Sequence, residues 1–107
     1  TFILPGNNNL PNVFKKKKTV GIRVPDNNIC KSIVATLGNP IVSTSIYDED
    51  EVIEYTTDPE LIKEKWDQLV DLVIDGGYGD NIPSTVIDLT NSEPEVIREG
   101  KGSIEIM

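Results

Sequence analysis

Between Asn27 and Gly38 the chain carries a helix with both of its ends written into the sequence. Asn27 or Asn28 suits the cap, because a short side-chain oxygen accepts from an otherwise unpaired N–H of the first turn. Ile29, Cys30, Ile33, Val34 and Leu37 then fall on one face at helical spacing. Gly38 stops the helix and Pro40 prevents its resumption. A second helix starts near Asp58. Thr57 with Glu60 matches a capping box, or Asp58 caps with Pro59 at the first helical position. This helix turns Leu61, Ile62, Trp66 and Leu69 inward, and Lys63, Lys65, Glu60, Glu64 and Asp67 to water.

Around these helices lie short apolar, β-branched runs: "TFIL" from Thr1, "TVGIRV" from Thr19, "IVSTS" from Ile41, "VDLVID" from Val70, "STVIDL" from Ser84 and "EVIRE" from Glu95. Each reads as a strand, and "EVIEYTT" from Glu51 as a weaker one at an edge. "PGNNNLPNVF" is rich in turn residues and holds one helical turn near Leu10 to Phe14. Strands interleaved with two helices predict a layered domain with helices packed on a sheet. At 107 residues the chain suits one domain. A β-branched run at its first residue predicts a stretch of something longer; a trimmed mature end is the plainer alternative.

Composition removes several chemistries. There is no histidine, which excludes histidine acid–base catalysis and histidine metal ligands within this sequence. Cys30, the single cysteine, cannot form an internal disulfide, which fits a reducing cytoplasm. The net charge of −8 hides a gradient. Up to Gly38, six bases stand against Asp26 alone; beyond it, four bases face seventeen acids. The acidic total argues against general nucleic-acid binding, while the basic first third can meet an anion locally.

The candidate sites sit at strand ends, where α/β sheets tend to bind ligands. Ser43, Thr44 and Ser45 close a strand; they either donate to phosphate oxygens or satisfy nearby backbone. Arg23 ends another strand, as a two-pronged carboxylate or phosphate clamp or as a surface ion pair. Ser84 and Thr85 stand at a strand mouth after the turn-rich "GYGDNIP". Arg98 is followed by Gly100 and Gly102, and glycine lets a backbone approach a ligand closely. Lys15 to Lys18 is a solvated face or an RNA-backbone contact. Asp48 to Glu51 is a solvated loop or a divalent-ion site.

Taken in order, "TFIL", "TVGIRVPD", "PIVSTS", "VDLVIDGGYGDNIPSTVIDLT" and "VIREGKG" resemble the C-terminal half of the YrdC/YciO-like threonylcarbamoyl-AMP synthase domain. The resemblance covers nearly the whole chain. It implies an α+β, YrdC/RibB-like fold, present in part: a twisted mixed sheet with helices packed on it, around a positive groove. It implies a nucleotidyltransferase that uses ATP with Mg²⁺, bicarbonate and L-threonine, releases pyrophosphate and serves modification of adenosine 37 in tRNA. Carried over by position, Thr1, Ser43, Ser45 and Arg98 would bind the nucleotide, and Arg23 and Ser84 the threonine. No residue would act as a nucleophile and none would ligate a metal. The resemblance departs at two points. Tyr47 stands where the synthases have the asparagine of Ser-x-Asn, which places the chain nearer the YciO-like branch. The family's upstream Lys-x-Arg motif is not in the sequence. The alternative is therefore a non-catalytic protein of the YciO type that binds a nucleotide or double-stranded RNA, with this stretch inactive alone.

Overall fold

The computed structural model describes residues 1–7, 9–14 and 16–104. Its backbone is mixed α+β and divides into two compact units, Thr1–Pro25 with Ile82–Met107, and Asp26–Asn81.

The first unit is a four-stranded mixed sheet of β1 (Phe2–Pro5), β2 (Thr19–Ile22), β3 (Val86–Asp88) and β4 (Glu95–Arg98), in the order β2-β1-β3-β4. β1 runs antiparallel to β2, with Phe2 opposite Ile22, and parallel to β3, with Phe2 opposite Ile87. β3 and β4 are antiparallel, with a register shift between Val86 and Ile87. Such a shift bends the strand and re-aims the side chains beside it. Ile87, in a central strand, is 2% exposed. A 3₁₀ turn at Asn12–Phe14 links β1 to β2, where one helical turn is expected from sequence. The "STVIDL" strand is shorter than its sequence predicts. The Asp88 carboxylate accepts from the Thr90 hydroxyl at 2.6 Å and the Thr90 N–H at 2.8 Å, which ties off its end in a local turn.

The second unit is helical and irregular. α1 (Asn28–Leu37) has both expected ends. Asn27 Oδ1 accepts from the Cys30 N–H at 3.1 Å, and Gly38, at φ 85°, donates its N–H to Val34 O at 2.9 Å. Only glycine adopts that left-handed cap without a Cβ penalty. α3 (Pro59–Trp66) follows α2 (Glu54–Thr57) directly. Its cap is Asp58, which accepts from the Glu60 N–H at 3.0 Å, with Pro59 in the first turn.

Four sequence expectations fail here. "EVIEYTT" is not an edge strand, since Glu54–Thr57 is helical. The Thr56 and Thr57 hydroxyls donate back to Ile53 O at 2.9 and 3.0 Å, which offsets the poor helix propensity of β-branched residues. "IVSTS" and "VDLVID" have strand composition but no strand assignment. A ladder needs a partner backbone, and among the described residues neither run is paired with one. Leu69 lies beyond the end of α3 and is 73% exposed rather than turned inward. The apolar face of α1 is also only partly covered, with Ile29, Ile33 and Leu37 among the exposed apolar residues and Cys30 half-buried.

Candidate functional site

The sheet unit brings three of the sequence-expected residues into one hydrogen-bonded chain. Thr1 is fixed through its backbone: its nitrogen donates to Thr85 O at 2.8 Å, and its carbonyl accepts from the Ile87 N–H at 2.9 Å. Its hydroxyl then lies 2.7 Å from the Ser84 hydroxyl. Arg98, at the end of β4, reaches across to the same serine. Its Nε donates to Ser84 O at 2.9 Å, and one terminal nitrogen lies 3.4 Å from Ser84 Oγ.

Arg23, immediately after β2, adds charge to this end of the sheet. Burial, then Arg23 and then Arg98 push the Thr1 amine below the ordinary α-amino value. Ile22 pairs with Phe2, so Arg23 follows at the same end of the sheet as Thr1, where two hydroxyls meet and Arg98 reaches Ser84. A guanidinium and short hydroxyls are the donors that suit carboxylate or phosphate oxygens.

Two residues that are not among the ligand contacts carried over from the family hold this cluster together. Thr85, 6% exposed, accepts from the Gly100 N–H at 2.9 Å and donates its hydroxyl to Gly102 O. Lys101 N–H donates to Pro83 O at 2.9 Å. The loop after β4 is thus clasped onto the mouth of β3. Gly100 is needed for that approach: a Cβ there would stand 2.1 Å from Pro83 O and 2.8 Å from the Ser84 carbonyl carbon, both backbone atoms. The glycine serves close packing on the chain itself, whereas sequence reading assigns it to a ligand. The signal is present in the sequence as a threonine beside Ser84 and a glycine two residues after Arg98, but their meeting is tertiary.

Ser43 and Ser45 belong to the other unit, Asp26–Asn81. They are exposed on an irregular segment, not at the end of a strand as their sequence predicts. Tyr47 is also exposed. Directly after it, the Asp48 carboxylate is fully engaged. One oxygen accepts from Lys65 Nζ at 2.9 Å; the other accepts from the Asp50 and Val52 N–H groups at 3.0 and 3.1 Å. The Lys65 hydrogen bond, followed by the Val52 N–H, holds the Asp48 carboxyl below the usual carboxylate range. The acidic run is therefore a turn tied to α3, with Glu51 at φ 58°. Of the basic run, Lys16, Lys17 and Lys18 are exposed, and Lys15 lies outside the described residues. No helix among the described residues is long and apolar enough to cross a membrane.

Comparison with known proteins agrees with this backbone. The profile of the Sua5/YciO/YrdC family, described as telomere recombination, matches residues 1–100. The chain is 44% identical to the uncharacterized protein YciO of Escherichia coli K12 over 108 residues, 98% of this chain and 52% of that protein. It is 44% identical to an uncharacterized protein of Haemophilus influenzae over 105 residues, 96% of this chain and 51% of the relative. The crystal structure of E. coli YciO superposes with a TM-score of 0.82 over 97% of this chain and 51% of that one. The chain thus spans about half the length of the curated relatives it matches. With its sequence and its backbone both matched almost end to end, the chain belongs to the Sua5/YciO/YrdC family.

Proposed function

We propose that the protein of which this chain forms a part binds ATP and L-threonine, with Arg23, Ser84 and Thr1 facing their anionic oxygens and Arg98 acting through Ser84. The observation that carries this reading is the Thr1–Ser84–Arg98 chain at one end of the sheet, with Arg23 following Ile22, the residue paired with Phe2, at that same end. The chemistry is that of a threonylcarbamoyl-AMP synthase. The threonine amine attacks bicarbonate, whose hydroxyl departs as water with a proton from the amine, to give a carbamate; a carbamate oxygen then attacks the α-phosphorus of ATP as pyrophosphate leaves. No protein nucleophile is required. The protein contributes position and charge, which suit a reaction whose groups are all anionic. Mg²⁺ comes with the ATP phosphates as part of the substrate.

Tyr47 favours a second reading. A phenol does not offer the short paired donor and acceptor of asparagine. A relative that binds a nucleotide or double-stranded RNA without making threonylcarbamoyl-AMP fits that departure. Calorimetric titration of the full-length protein with ATP and threonine separates the two. Each ligand tightening the other supports the synthase. Binding of ATP or RNA that ignores threonine supports the second reading. Binding of none of them overturns both.

A further inference from the structure

The 2.7 Å contact between Thr1 Oγ1 and Ser84 Oγ has two possible directions, since either hydroxyl can donate. Arg98 decides between them. A guanidinium has no acceptor. Arg98 Nε donates to Ser84 O at 2.9 Å and so presents a terminal nitrogen to Ser84 Oγ, at 3.4 Å. A hydroxyl hydrogen turned toward that cation would be repelled by it. Ser84 Oγ has two lone pairs, but a hydrogen bond received from a cation polarises the serine O–H and makes it the better donor of the pair, along the contact with Thr1. Thr1 Oγ1 then accepts, and its own hydrogen must leave the shared axis. The backbone of Thr1 is held in place beside Ser84, because its nitrogen and carbonyl are both bonded to the segment around β3.

We propose that Arg98 is a positioning residue which sets the direction of a relay from Ser84 to Thr1, so that the Thr1 hydroxyl is presented as a hydrogen-bond donor. The direction of the relay holds without any ligand. That its last donor meets an acceptor oxygen of bound ATP rests on the reading given under Proposed function. Arg98 then acts through Ser84, and its effect on ligand binding depends on the serine hydroxyl being there.

The test has two arms on the full-length protein. The first uses no ligand. In ¹⁵N NMR spectra the Arg98 Nε–H signal, identified by its loss in Arg98→Lys, is expected to shift in Ser84→Ala, with a smaller shift in Thr1→Val. A signal unmoved by Ser84→Ala overturns the relay. The second arm is a double-mutant cycle on ATP affinity. Ser84→Ala and Arg98→Gln are each expected to weaken binding about tenfold. The double variant is expected to be no weaker than Ser84→Ala alone, because nothing remains for the arginine to orient. Losses that multiply to about a hundredfold would mean two independent ligand contacts and would overturn the proposal. Arg98→Lys replaces Arg98→Gln in the cycle if the latter fails to fold. A wild-type protein that binds no ATP defeats the functional reading, while the first arm still judges the relay.

Discussion

The sheet unit and the helical unit are held by bonds of different reach. In the sheet, Thr1 bonds to Thr85, Gly6 to Lys18, Leu89 to Ile3, and Arg98 to Ser84. Each tie joins parts of the chain that are distant in sequence. In Asp26–Asn81 the ties are mostly short in sequence: Asn27 to Cys30, Asp48 to Val52, Asp58 to Glu60, Asp75 to Gly77. Lys65 to Asp48 and Gly79 to Thr57 are the longer clamps. Burial follows the same division. Ile87 and Thr85, the two buried residues among the described residues, are both in the sheet unit. Ile41, Val42, Leu69, Leu72 and Ile74 of the other unit remain largely exposed. Long-range pairing creates an interior, because it brings apolar surfaces from separate parts of the chain onto one another. Local capping makes helices without one.

That contrast can be broken most directly at Ile87. Ile87→Ala should cost about 3 kcal/mol in chemical denaturation, through lost burial and the cavity left behind. A cost within ~0.5 kcal/mol would mean that the sheet has no such centre. Next in size is Gly100→Ala. The clash with Pro83 and Ser84 should cost about 2 kcal/mol and release the Gly100 amide from Thr85, seen as faster hydrogen exchange. Retained protection of that amide would show that the clasp tolerates a Cβ. In the helical unit the effects should be smaller and local. Asn27→Ala should cost about 1 kcal/mol, with exchange quickened in the first turn of α1. Spread of the effect along all of α1 would sharpen the contrast the other way, toward a cooperative unit.

The smallest effect belongs to Asp48. Lys65 keeps its folded-state carboxyl below the ordinary range, so the unfolded chain binds that proton more readily. The stabilisation is complete above the unfolded carboxyl's range and fades as pH falls through the lowered folded value. Lys65→Met should flatten the acid side of the stability curve and leave the sheet amides unchanged. An acid limb identical to wild type would show that the pair is too solvated to matter.

How far the sequence can be read depends on where each signal originates. The caps Asn27, Gly38 and Asp58 were legible because capping is settled within a few residues. "IVSTS" and "VDLVID" misled because their composition reports a wish for burial, not the presence of a ladder partner. "EVIEYTT" misled because hydroxyl-to-carbonyl bonds, which a pattern of apolar residues does not encode, let a β-branched run turn helical. In the candidate site, Ser84 and Arg98 stood out at strand ends, and Thr1 entered only through the family resemblance. Their mutual contact, and the clasp made by Thr85 and Gly100, did not.

By itself, then, the amino-acid sequence determined where α1 starts and stops and where α3 starts, which chemistries lack their residues, and which family pattern the chain follows. Tertiary structure alone decided which β-branched runs became strands, that Thr1 stands beside a serine 83 positions away, and that Arg98 turns back onto its own protein. The reason is one of range. A cap or a turn is a contest among neighbouring backbone groups, whereas a ladder, a clasp or a directed hydroxyl exists only once distant segments have met.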